Sequence, residues 1–166
     1  MRRREQLDEV DALIIPGGES TTIGKLMELY GIDDRIRARA REGMPVWGTC
    51  AGAIVLAKRV PGRPQPLLGL MDIAVERNAF GRQVDSFEAD LLASEIGAKP
   101  FHAVFIRAPK IVEVGPGVDV LARLDDGTIV AARQGRLLAT SFHPELSGDG
   151  RFHRYFAGFV DDKKSP

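Results

Sequence analysis

The chain has 166 residues, 44% of them hydrophobic, with 23 basic and 23 acidic side chains and one cysteine. That length supports one packed α/β core and is short for two, so residues 1–166 read as a single domain with a polar tail at 161–166. Balanced charge gives no electrostatic reason to expect a nucleic acid or an anionic membrane as partner, which leaves a small molecule or a protein; one cysteine excludes an internal disulfide and fits a reducing, cytoplasmic setting.

No apolar run near Met1 is long enough for a signal sequence or a membrane span. Ala12-Leu13-Ile14-Ile15, stopped by Pro16-Gly17-Gly18, reads as a buried strand entering a tight loop. Ser20, Thr21 and Thr22 are candidate caps for a helix whose apolar positions Ile23, Leu26, Met27 and Tyr30 recur at helical spacing before Gly31. A second helix is expected over 33–41, where Arg35, Arg37, Arg39 and Arg41 make a basic stripe most simply read as a solvated face. Pro45-Val46-Trp47 is a brief strand and residues 51–58 have helical composition, which puts Gly48-Thr49-Cys50 at a strand-to-helix turn. A Pro- and Gly-rich loop at 60–66, a strand at 71–76 and a polar stretch at 77–86 follow, the last of a kind that often lines sites. Strands are expected at 103–107, 111–114, 120–124, 128–133 and 137–140, with Asp126-Gly127 and Gln134-Gly135 as hairpin-type turns. A final helix at 151–160 is amphipathic through Phe152, Tyr155, Phe156 and Phe159. The order of elements predicts a doubly wound, three-layer α/β sandwich: a mostly parallel central sheet, helices on both faces and an antiparallel extension.

Three segments carry chemistry. Gly48-Thr49-Cys50-Ala51-Gly52 is the thiol counterpart of the G-x-S-x-G elbow. Small flanking residues permit a turn that exposes the nucleophile, the helix N-terminus favours a thiolate, and the Ala51 N–H can face a developing oxyanion. Read alone, the pentapeptide fits a small buried hydrophobe equally well. Ser141-Phe142-His143-Pro144-Glu145 follows the strand ending at Thr140, at the edge where sites of open α/β sheets gather. Pro144 biases His143 toward extended backbone, in which residues i and i+2 point the same way, so Glu145 is expected to reach the imidazole. A carboxylate there sets the tautomer and stabilises the imidazolium while the other ring nitrogen takes the Cys50 proton. In Pro16-Gly17-Gly18-Glu19-Ser20 the glycines let the backbone approach a ligand, with the Gly18 N–H as a second oxyanion donor. This is not a phosphate loop, because the Gly-Lys-Ser/Thr ending is absent. His102 and His153 have no cysteine or paired carboxylate at ligand spacing, so no metal site is expected.

In this order the three segments resemble those of class I (triad) glutamine amidotransferases. Val75-Glu76-Arg77-Asn78-Ala79-Phe80-Gly81-Arg82-Gln83-Val84-Asp85-Ser86-Phe87-Glu88 and Phe105-Ile106-Arg107-Ala108-Pro109 resemble, more specifically, the family of glutaminase subunits of pyridoxal 5′-phosphate synthase, with similarity from near Val10 to near Phe159. The resemblance implies the flavodoxin-like amidotransferase fold, Cys50 as nucleophile, and His143 and Glu145 completing a triad. It also implies L-glutamine held at Gly18, Glu19, Ser20, Arg77, Ile106 and Arg107, and hydrolysed to L-glutamate and ammonia with no cofactor and no metal. The ammonia would pass to a synthase subunit that builds the vitamin B6 cofactor from ribose 5-phosphate and glyceraldehyde 3-phosphate. Arg77 or Arg107 suits the α-carboxylate of glutamine and Glu19 its α-ammonium. The alternatives are a subunit feeding another synthase and a non-catalytic regulatory subunit. Family members ordinarily carry a strand, a Gln-Gly loop and a helix ahead of the segment that begins here near Leu7, so an N-terminally truncated domain with an exposed sheet edge and apolar surface is expected.

Overall fold

A computed structural model describes residues 4–62, 64–77 and 86–161. Its elements in chain order are β1 (Leu13–Ile15), α1 (Ser20–Leu29), α2 (Ile32–Arg41), β2 (Val46–Thr49), α3 (Ala51–Leu56), β3 (Ala57–Arg59), β4 (Met71–Glu76), β5 (Ser86–Ala93), β6 (Gly97–Ile106), β7 (Lys110–Val114), β8 (Asp119–Arg123), β9 (Ile129–Gln134), β10 (Leu137–Thr140) and α4 (Arg151–Asp161). The main sheet runs β1-β2-β10-β9-β7-β4-β3, with β8 paired onto β9 as an eighth strand, and β5 and β6 form a separate hairpin. β2 lies parallel between β1 and β10, so Trp47 stands opposite both Ile14 and Leu138. Beyond β10 the sheet continues antiparallel through β9, β7 and β4. This is the α/β sandwich expected, a mixed sheet with one parallel set, β1, β2 and β10, where the three motifs lie and a second parallel pair, β3 and β4, at the other edge.

Period-two alternation divides the core into two layers. Val46 and Ala139 point into one cluster with Ile15, Ile36, Val55 and Met71, while their strand neighbours Trp47 and Leu138 enter another with Phe101, Phe142, Phe152 and Phe156. Helices α1, α2 and α3 cover the first face; α4 and the β5-β6 hairpin cover the second. A strand between two apolar layers has no solvent-facing positions, and all four residues of β2 are buried.

Several expectations are revised. The helix at 51–58 stops at Leu56, and Ala57–Arg59 forms β3 beside β4. The reason is competition for carbonyls: Leu68 N donates to Val55 O at 2.7 Å and Leu70 N to Leu56 O at 3.1 Å, taking acceptors that another helical turn would use. β6 begins at Gly97 rather than 103 and pairs with β5, which has no counterpart in the sequence reading. Its outward positions Ser86, Glu88 and Asp90 are polar and it contains no β-branched residue, which removes the usual strand signal. The polar stretch at 77–86 falls largely on 78–85, outside the described residues.

Three of the four arginines in the α2 stripe, Arg35, Arg37 and Arg39, are half-buried and engaged, whereas Arg41 is exposed as expected. Arg37 donates to the carbonyls of Leu67 at 2.9 Å and Leu68 at 3.1 Å, and Arg39 to those of Leu7 at 3.2 Å and Val10 at 3.0 Å, while Arg35 pairs with Asp8. Guanidinium groups thus satisfy carbonyls in irregular chain and clamp it to the helix. On the outer side of β1 an open groove of about 780 Å³ is lined by Leu13, Ile14, Ile23, Leu26, Met27 and Tyr30, among others. No helix among the described residues is long and apolar enough to cross a membrane.

Candidate active site

β2 enters α3 through Cys50, whose φ of 49° and ψ of −109° fall outside the regions that L-residues favour. Two glycines allow the turn. A Cβ on Gly48 would overlap the Gly52 carbonyl oxygen, and a Cβ on Gly52 would overlap that of Ile15. Cys50 itself is held from both sides: its N–H donates to Thr140 O at 2.8 Å and its carbonyl accepts from Ala53 N at 3.1 Å. A strained conformation kept in place by its surroundings is a hallmark of functional sites. The residue is 7% exposed, and its Sγ lies 3.8 Å from the carbonyl oxygen of Ile106 at the end of β6. The next residue, Arg107, has φ 45°, so the two positive-φ non-glycine positions among the described residues stand at this one junction. Ala51 opens α3, where an N–H has no carbonyl within the helix to bond.

His143 leaves β10 from the same edge, and its backbone N–H donates to Val104 O on β6 at 2.8 Å. Its Nδ1 is 2.8 Å from Glu145 Oε1, as expected, but the route differs. Glu145 lies in a single 3₁₀ turn, Pro144–Leu146, for which His143 is the N-cap, and not in extended chain. Proline at the first helical position has no N–H to leave unpaired. Leu146 N donates to His143 O at 3.1 Å and folds the turn back toward the ring. A Cβ on Gly17 would come within 2.5 Å of His143 Cε1. Gly17 therefore makes room for the imidazole, a role its place in a Gly-Gly loop did not announce.

Contact with Cys50 is the largest influence raising the His143 pKa, the Glu145 hydrogen bond raises it further, burial opposes both, and the result is about 9 against the ordinary 6.5. A raised pKa means that the stabilisation from these contacts is fully present below the unfolded value near 6.5 and is lost as pH climbs through about 9. In Cys50→Ala the His143 ring should titrate clearly below its parent midpoint, because the main upward influence is gone while burial remains. An NMR titration of the imidazole checks this, and an unchanged midpoint would refute the contact.

The third motif forms a polar cluster. Gly18 takes φ 143°, open to glycine. Glu19 caps α1, in place of the expected Ser20, Thr21 or Thr22: its carboxylate accepts from Thr21 N at 3.2 Å, Thr22 N at 2.7 Å and the Thr22 hydroxyl at 2.9 Å. A full negative charge at the positive end of a helix outweighs a hydroxyl. The Thr22 backbone bond is the main cause that brings the Glu19 pKa from 4.5 to about 2. Arg77 Nη2 donates to Glu19 Oε1 at 2.8 Å, and Nη1 to Thr21 Oγ1 at 3.0 Å and Gln65 Oε1 at 2.9 Å. Ser20 is buried, its hydroxyl donating to Gln65 Oε1 at 3.2 Å. Ser20 and Arg77 thus meet at Gln65, which carries no motif, with Glu19 on the other side of Arg77, whereas the Ile106 carbonyl stands beside Cys50, with Arg107 next in the chain. The Pro16-Gly17-Gly18 loop joins the two groups.

Among the described residues no group of three or more His, Cys, Asp or Glu is arranged to hold a metal ion. His102 bridges Asp90 at 3.1 Å and Glu88 at 3.0 Å on the hairpin, and His153 meets the Trp47 ring edge-on at 5.1 Å.

An α/β sandwich carrying a cysteine elbow and a carboxylate-backed histidine at one sheet edge is the arrangement of a hydrolase with a cysteine nucleophile. The chain belongs to the SNO glutamine amidotransferase family, whose profile matches residues 1–162. A relative from Herpetosiphon aurantiacus named pyridoxal 5′-phosphate synthase subunit PdxT is 64% identical over 95% of this chain and 85% of its own length. A relative of the same name from Dehalococcoides mccartyi is 60% identical over 99% of this chain and 86% of its own. A crystal structure of a glutamine amidotransferase, 56% identical, matches with TM-score 0.92 over 97% of this chain and 85% of that one. PurLQS from Thermotoga maritima, 16% identical with TM-score 0.64 over 95% of this chain and 82% of that one, shares the fold.

Proposed function

We propose that the chain is the glutaminase subunit of a cytoplasmic pyridoxal 5′-phosphate synthase complex, hydrolysing L-glutamine to L-glutamate and passing the ammonia to the synthase subunit. The observation that carries the chemistry is the meeting of Cys50 and Glu145 on one imidazole, that of His143. High identity to relatives named as this subunit favours that acceptor over another synthase.

The Cys50 thiolate attacks the side-chain carbonyl carbon of glutamine, and the oxyanion is met by the N–H groups of Ala51 and Gly18. Losing one such donor typically costs roughly a hundredfold to a thousandfold in rate. With Nδ1 turned to Glu145, Nε2 is the ring nitrogen that exchanges protons with the reacting atoms. Protonated His143 delivers its proton to the departing ammonia, leaving a γ-glutamyl thioester. It then takes a proton from water, which attacks the thioester and restores the thiolate. These steps call for no cofactor. Glutamine is held at Gly18, Glu19, Ser20, Arg77, Ile106 and Arg107. Glu19, ionised down to about pH 2, suits the α-ammonium, and Arg77 or Arg107 suits the α-carboxylate.

The test uses a glutamine-analogue electrophile together with ammonia release on addition of the synthase subunit. Because Cys50 is the single cysteine, mass spectrometry should find one adduct, at Cys50. No adduct under conditions that label another amidotransferase, with no ammonia released, would reject the assignment.

A further inference from the structure

We propose that Gln65 is a positioning residue for glutamine recognition: its neutral amide oxygen fixes the Arg77 guanidinium and the Ser20 hydroxyl without cancelling the arginine charge. The inference rests on the reading of Glu19, Ser20 and Arg77 as substrate contacts, and names what orders them.

Three donors converge on Gln65 Oε1: Arg77 Nη1 at 2.9 Å, Ser20 Oγ at 3.2 Å and, more weakly, Thr21 Oγ1 at 3.5 Å. The other end of the same amide is poorly served, since Nε2 is buried with no hydrogen-bond partner among the described residues. An orphaned buried donor opposes folding. A glutamate here would accept the same three bonds, but its second oxygen would replace Nε2 as a buried group without a partner and would bring a charge with it. The charge matters most for recognition. Arg77 is already paired with Glu19 at 2.8 Å, and a second carboxylate would leave the cluster net negative where the carboxylate of glutamine must approach. A neutral acceptor orients the guanidinium and preserves its attraction for an anion.

The loop that presents Gln65 is built to hold it still. A Cβ on Gly24 would come within 2.6 Å of Pro66 O, so α1 and the loop touch backbone to backbone. Arg37 grips the carbonyls of Leu67 and Leu68, and Leu68 N bonds to Val55 O at 2.7 Å. Fixed contacts of this kind transmit into binding geometry, where small displacements are costly. The cluster also adjoins the triad, because Glu19 is two residues from Gly17, on which the His143 ring rests.

The experiment measures ligand binding by calorimetry in Cys50→Ala, which does not turn over, saturated with the synthase subunit. Parent, Gln65→Leu and Gln65→Glu forms are compared with L-glutamine and with 4-aminobutanamide, the same molecule without its α-carboxylate. The glutamine Kd should rise about tenfold in Gln65→Leu and at least as much in Gln65→Glu, with 4-aminobutanamide changing less than about twofold. The 4-aminobutanamide affinity, read on the same three forms, separates recognition of the α-carboxylate from any loss of folding. Parent-like glutamine binding by Gln65→Glu overturns the proposal. Equal weakening of both ligands also overturns it, as does a parent that binds no glutamine. Binding that follows the expected pattern while intact Cys50 protein releases no ammonia would sink the glutaminase reading and leave this inference standing.

Discussion

Replacing Cys50 by alanine should lower glutamine turnover by roughly 10⁴-fold or more, the scale seen when a covalent nucleophile is removed from an enzyme of triad type. The expectation follows from position as much as from identity. Cys50 is the residue at the strained elbow, and its thiol lies at the junction where β2, β6 and β10 converge. A cysteine kept only for packing would tolerate alanine at a small cost in stability and no cost in activity. Glutamine affinity should survive the change, since Ser20 is held by Gln65, and Arg77 by Gln65 and Glu19, through bonds that do not involve the sulfur. Steady-state ammonia release and ligand titration on the same preparation separate the two effects. Turnover within tenfold of the parent would remove Cys50 from the mechanism.

Gly52→Ala should be the most destabilising single methyl in the elbow, costing about 3 kcal/mol or more. The added Cβ would overlap the Ile15 carbonyl oxygen, which is strand backbone and has no rotamer with which to retreat. Relief requires α3 to move off β1, and that displaces Cys50 at its N-terminus, so stability and turnover should fall together. Gly158→Ala is the control: nothing lies within 4 Å of a Cβ there, and removing a glycine from the interior of α4 should stabilise by about 0.5–1 kcal/mol. Thermal or urea unfolding of the two variants beside the parent gives the comparison. A Gly52→Ala protein with the Tm of the parent would show that the α3-β1 contact is looser than described.

Much of the architecture was legible because it is written in local patterns. Two-sided burial of β2 shows as a short apolar run, whereas the similar run of β1 forms an edge strand with Ile14 exposed; α1 and α4 show as helical periodicity, and the Cys50 elbow shows as small residues around a thiol. The His143-Glu145 contact was legible too, since the partners are two residues apart, although a 3₁₀ turn and not extended chain joins them. The family membership rests on a match over residues 1–162, nearly the whole chain.

What the sequence by itself determined, then, is the set of elements and the residue types offered for chemistry at their ends. Tertiary structure alone decided which distant residues complete them. Glu19, and not a serine or threonine, caps α1 in company with Arg77, 58 positions away. Arg37 and Arg39 look solvated along their own helix until carbonyls 29 to 32 positions away arrive. Gln65 acquires a role only when Ser20 and Arg77 converge on it, and β3 exists because a returning loop takes the carbonyls that a longer helix would need. The physical reason is common to all four. Backbone periodicity and side-chain size act between near neighbours and leave a trace in order and spacing, whereas the pairing of buried polar groups depends on which partner the fold brings within about 3 Å.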